Sequence, residues 1–118
     1  MAEEKALELA RDIVGVLDKK KGEDILLLEL VGICSFADFF ILTTAPSKRT
    51  IRALRDDVQV ELKRSRELLA GAVEGEPDSG WVLMDYGDVI VHIFSQEMRD
   101  FYRLEDLWGE GRILLHVQ

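Results

Sequence analysis

The chain has 118 residues, 47% hydrophobic and 32% charged, with 2 prolines and a formal net charge of -8. That length suits one compact domain spanning 1–118, and the composition excludes a disordered or fibrous chain. An acidic body repels polyanions at long range, so general nucleic-acid binding, direct DNA binding included, is not expected.

The N-terminal "MAEEKALELARD" lacks the basic start and apolar stretch of a secretion signal. Residues 3–20 place Ala6, Ala10, Ile13, Val14 and Leu17 on one face at helical spacing, and Gly22 after a lysine run provides a stop. "DILLLEL", 24–30, is short, apolar and bounded by turn residues, which suits a strand. Cys34 is the one cysteine, so no intrachain disulfide forms; a small buried apolar role and a reducing, cytoplasmic compartment follow. "DFFILTTA", 38–45, is aromatic and β-branched and reads as a second strand.

Pro46 ends that strand, and Ser47 is placed to cap a second helix whose buried stripe is Ile51, Leu54, Val58 and Leu62. Residues 48–66 carry seven of the 15 basic side chains, Lys48, Arg49, Arg52, Arg55, Lys63, Arg64 and Arg66, against three acids. A solvated helix face is the plainer reading of these cations and an rRNA contact the sharper one. "AGAVEGEPDSG", 70–80, reads as a surface loop.

"WVLMDY" and "VIVHIF" are joined by Gly87-Asp88, a two-residue connection suited to a type II′ hairpin. That register opposes Trp81 to Phe94, Leu83 to His92 and Asp85 to Ile90 on one face; Val82, Met84, Tyr86, Val89, Val91 and Ile93 form an apolar face for packing against helices. Asp85 and His92 become diagonal neighbours about 7 Å apart, within reach of a hydrogen bond that would orient a half-buried imidazole. Ser95 caps a helix expected over 97–107 that presents Met98, Phe101, Tyr102, Leu104 and Leu107 and ends at Trp108, its aromatics suited to a core or a dimer interface. "RILLH", 112–116, suits a last strand. The element order implies an α/β sandwich, with a mixed β-sheet and flanking helices. No run approaches the roughly 20 apolar residues of a membrane-spanning helix.

Catalytic and metal signals are weak. Neither Cys34 nor Ser35 sits in a nucleophile elbow, and one cysteine with His92 and His116 far apart cannot make a zinc site. No phosphate-binding glycine loop occurs. Asp38, Asp85 and Asp88 are candidate magnesium ligands, although Asp88 in a Gly-Asp turn is explained by turn chemistry alone.

"SFADFFILTT", 35–44, followed by "SKR", 47–49, and "WVLMDYGDVIVHIFSQEMRDFYRLEDLW", 81–108, closely resembles the ribosomal silencing factor family, also called Iojap. The second segment matches that family's Asp-Tyr-Gly-Asp, Val-His strand, Arg-x-Phe-Tyr and Leu-Glu-x-Leu-Trp almost position for position. The resemblance implies a nucleotidyltransferase-like fold without catalytic residues, metal or cofactor. It also implies a protein that docks on the large ribosomal subunit at the protein numbered fourteen and sterically blocks joining of the small subunit, repressing translation under nutrient limitation. Matching positions are Asp38, Trp81, Asp85, Tyr86, His92, Arg99 and Tyr102. Of these, Trp81 is expected as anchor, Asp85 and Asp38 as acceptors for basic groups, His92 as support for Asp85 and Tyr86 as a further contact at the hairpin tip, with Arg99 and Tyr102 structural. Ala45-Pro46 stands where the family commonly has a glycine. The tail "GEGRILLHVQ", 109–118, is more apolar than the family pattern and suits an extra edge strand or a homodimer contact. Two other readings are a magnesium-dependent nucleotidyltransferase using Asp38, Asp85 and Asp88, and a large-subunit assembly adaptor.

Overall fold

The computed structural model describes residues 2–118, with side chains from Glu4 onward. Helix α1, Ala2–Lys19, buries Ala10, Ile13 and Leu17 as the spacing predicts. It stops at Lys21, which takes the left-handed φ of 71°. Gly22 is needed for space instead: a Cβ there would lie 2.8 Å from the Thr43 hydroxyl and 3.0 Å from the Leu17 carbonyl.

Strand β1, Glu23–Glu29, runs antiparallel to β2, Phe39–Thr44. Every residue of β2 is buried, which is why its sequence is a continuous apolar and β-branched run without alternation. Helix α2, Lys48–Arg66, starts where Ser47 accepts the Thr50 N–H, and it buries Ile51, Leu54, Val58 and Leu62. Removing each of those side chains from water contributes roughly 1.5–3 kcal/mol, so the stripe fixes α2 on the sheet.

The segment expected as a surface loop contains a short strand, β3, Ala72–Glu74, and a 3-10 turn over Pro77–Ser79. Pairing with β4, Trp81–Asp85, creates β3; three residues carry no periodicity of their own. Strand β4 turns into β5, Val89–Phe94, through Gly87, whose φ of 88° only a glycine adopts freely at the first position of a type II′ turn. Trp81 opposes Phe94, Leu83 opposes His92 and Asp85 opposes Ile90, the expected register.

The helix expected over 97–107 is two pieces, α3, Gln96–Tyr102, and α4, Leu104–Leu107. Arg103 separates them with φ 48°, a left-handed kink at a residue type that gives no warning of one. Ser95 caps α3 by accepting the Met98 N–H. The last strand, β6, Arg112–Val117, pairs antiparallel with β1 at the sheet's edge.

The mixed sheet has the order β3-β4-β5-β2-β1-β6, with β2 and β5 parallel and every other pair antiparallel. Helices α1 and α2 cover one face, over Leu27, Ile41, Met84 and Val91. The opposite face, with Leu28, Phe40, Ile90 and Phe94, lies under Cys34, Ala37, Met98, Leu104 and Trp108. Even under this thinner cover Ile90, His92 and Phe94, on the Trp81 face, are buried.

Candidate partner-binding site

The thin cover leaves a gap beside Trp81. Trp81 starts β4 half-buried; its indole lies against Phe94, ring centres 5.0 Å apart at 31°, and against Tyr102 at 4.7 Å. Trp81, Leu83, Met98 and Tyr102 floor a shallow depression of about 320 Å³, with Glu74, Gly75 and Ser79 on its rim. Gly75 has φ 86°, and a Cβ on it would fall 2.2 Å from the Trp81 carbonyl oxygen. The turn between β3 and β4 is therefore pressed against the backbone that carries the indole.

His92 sits beneath, 3% exposed, and accepts the Trp81 Nε1–H at its Nδ1 over 3.2 Å. The expected Asp85–His92 hydrogen bond is absent, for two geometric reasons. Asp85 spends its carboxylate on its own turn, accepting the Gly87 N–H at 2.8 Å. Trp81 and Asp85 are the two diagonal neighbours of His92 on β4, and the indole is long enough to span the diagonal whereas the carboxylate is short. His92 thus supports Trp81. Burial pushes its pKa down to about 3, and its Nε2 has no hydrogen-bond partner among the described residues.

Around the hairpin tip, the Asp88 carbonyl accepts the N–H groups of both Asp38, 2.9 Å, and Phe39, 3.0 Å, which ties the turn to the start of β2. Asp38 is half-buried and Asp88 exposed. Tyr86 points to the other face, among α1 residues, with its hydroxyl unpartnered among the described residues and its pKa pushed up to about 12 by burial. Of the five positions expected to meet a partner, Trp81 and His92 are joined directly. Asp85 shares their face, Asp38 is linked to the hairpin through backbone, and Tyr86 lies behind. Leu83, on the face the register predicts, and Met98 and Tyr102 from α3 complete the depression; α3 brings in Tyr102, which the Arg-x-Phe-Tyr motif marks only as structural.

Arg99, expected to be structural, is 4% exposed and donates to the Asp24 carbonyl at 2.6 Å, the Thr44 hydroxyl at 2.9 Å and the Glu105 carboxylate at 3.2 Å. Among the described residues no group of three His, Cys, Asp or Glu side chains converges as metal ligands, so the geometry gives Asp38, Asp85 and Asp88 no shared site. Phe101, expected in a core or interface, is 75% exposed, and no helix among the described residues is long and apolar enough to cross a membrane.

These elements make a single α/β domain built on a mixed sheet, with an aromatic depression at the start of β4. Residues 3–117 match the family described as ribosomal silencing factor during starvation, and the chain belongs to that family. It is similar to the ribosomal silencing factor of Halalkalibacterium halodurans, 34% identical over 94% of this chain and 92% of that one. The Chromobacterium violaceum factor is 37% identical over 86% of this chain and 83% of its own. A crystal structure of a Chromobacterium violaceum protein superimposes with a TM-score of 0.82, at 36% identity, covering 87% of this chain and 85% of that one.

Proposed function

We propose that the protein docks on the large ribosomal subunit, at the ribosomal protein numbered fourteen, and prevents the small subunit from joining by occupying that surface. It acts in the cytoplasm, as a translation repressor under nutrient limitation, and makes or breaks no covalent bond. The observation that carries this reading is the Trp81 depression: a half-exposed aromatic anchor held by its neighbours, with Glu74 on the rim and Asp85 on the same face. Aromatic anchors in shallow pockets dominate binding energy, while surrounding charges select the partner. An acidic body of net charge -8 complements a basic ribosomal protein. Lys48, Arg49 and Arg52, exposed on α2, are available for rRNA phosphates, whereas Arg55, Arg64 and Arg66 are engaged by Asp56, Glu61 and Asp12.

Co-sedimentation with isolated subunits tests the reading. The protein should pellet with large subunits alone and lower the yield of joined ribosomes when small subunits are added. Trp81→Ala should weaken both effects about thirtyfold or more, the scale of a hot-spot truncation. Binding to neither subunit would sink the proposal.

A further inference from the structure

We infer that His92 is the positioning residue of this site: its Nδ1 fixes which edge of the Trp81 indole faces the core, and so presents the other edge to the docking partner. The inference rests on the proposal that Trp81 is the anchor. Stacking against Phe94 and Tyr102 defines the plane of the indole but tolerates its reorientation within that plane, because ring contacts are weakly directional. Rotation about the outer side-chain torsion of a tryptophan is soft, so the plane alone leaves two edges to choose between. The one directional contact in the stack is the Nε1–H to Nδ1 hydrogen bond.

The cost borne by His92 points the same way. An imidazole that accepts at Nδ1 and is neutral carries its proton on Nε2, and that nitrogen is buried without a partner among the described residues. Phe40 and Phe94 lie against the ring, at 4.8 Å and 5.9 Å between centres, so an apolar ring would suit the surroundings. A phenylalanine there would avoid the desolvation penalty. The imidazole supplies what phenylalanine cannot, an acceptor for the indole N–H. Burial keeps it neutral at physiological pH, so the acceptor is always available. Holding the anchor in one orientation before encounter lowers the ordering cost of binding.

The test compares His92→Phe, which removes the acceptor, with His92→Asn, whose side-chain carbonyl can take the place of Nδ1. In each, hydrogen exchange of the Trp81 indole N–H is followed by NMR, assigned by way of Trp108→Phe, alongside affinity for isolated large subunits. His92→Phe should exchange at least tenfold faster and bind at least fivefold more weakly, and His92→Asn should restore both. Should His92→Phe fail to fold, His92→Gln replaces it, since its carbonyl lies near the Nε2 position and should not protect the indole. Unchanged exchange, or unchanged affinity despite faster exchange, in the variant lacking the acceptor overturns the inference. Trp81→Ala run in parallel separates the two ideas: if it leaves affinity intact, the docking site is elsewhere and the indole exchange alone judges the hydrogen bond.

Discussion

Arg99 on α3 donates to the hydroxyl of Thr44 at the end of β2 across 2.9 Å, in a place where both side chains are almost wholly buried. The same guanidinium holds the Asp24 carbonyl and the Glu105 carboxylate. One side chain thereby joins β1, β2, α3 and α4, and it holds the thin helical cover on the Trp81 face of the sheet.

Arg99→Met should therefore destabilise the fold by about 3 kcal/mol, on the order of 10 °C in Tm, because the Thr44 hydroxyl and Asp24 carbonyl lose a buried donor. Arg99→Lys should recover little of this, since an ammonium cannot reproduce the planar fork. Thermal unfolding followed by circular dichroism checks both; a loss below about 1 kcal/mol for the methionine variant would show that water replaces the guanidinium.

Gly75→Ala combines strain at a positive φ with a Cβ 2.2 Å from the Trp81 carbonyl oxygen. It should cost about 1–3 kcal/mol of stability, and the displacement it forces should fall on the strand that carries the indole. Large-subunit affinity should drop while the protein remains folded at 25 °C. A loss of stability with affinity unchanged would mean that the β3–β4 turn moves and Trp81 does not.

The residues that could be placed from sequence are those whose conformation is decided locally. Ser47 and the spacing of Ile51, Leu54, Val58 and Leu62 define α2 without reference to anything distant. Gly87-Asp88 likewise fixes the hairpin register, and with it which face Trp81 and His92 share. What escaped the sequence depends on partners far along the chain. Strand β3 exists because β4 is beside it, and the kink at Arg103 is held where Arg99 and Leu104 are drawn toward the sheet. The choice of Trp81 over Asp85 as the partner of His92 turns on side-chain length across a diagonal, which the two-residue alternation of a strand does not encode. Within the candidate site, the face shared by Trp81, Leu83 and His92 was legible, and the closing of the depression by Met98 and Tyr102 was not.

Acid should unfold the protein partly through His92. Its folded pKa of about 3 lies below the unfolded value near 6.5, so below pH 6.5 the unfolded chain takes up a proton that the folded chain refuses. The stability held above pH 6.5 is lost as pH falls toward 3, by roughly 3 kcal/mol at pH 4. Urea titrations from pH 7 to 4 should give a shallower decline for His92→Phe than for the native chain, and parallel declines would remove His92 from the acid response.

Tyr86→Phe should leave stability at neutral pH unchanged or raise it by about 1 kcal/mol, because the hydroxyl is buried without a partner among the described residues. Its folded pKa is raised above the ordinary 10, so the native chain loses stability as pH rises from 10 through about 12, and the phenylalanine variant should lose less. A destabilised Tyr86→Phe would reveal a hydrogen bond from the hydroxyl to bound water.

The parallel pairing of β2 with β5 joins Phe39 to Val89, fifty positions further along the chain. During synthesis, an emerging chain completes α1, the β1–β2 hairpin and α2 well before the centre of the sheet can close. Until then β2, apolar throughout, waits with one edge unsatisfied, the kind of long-range pairing that folds slowly and invites association. A chain released before residue 89 should be captured by chaperones, while the finished chain folds around the last strand to arrive at its middle.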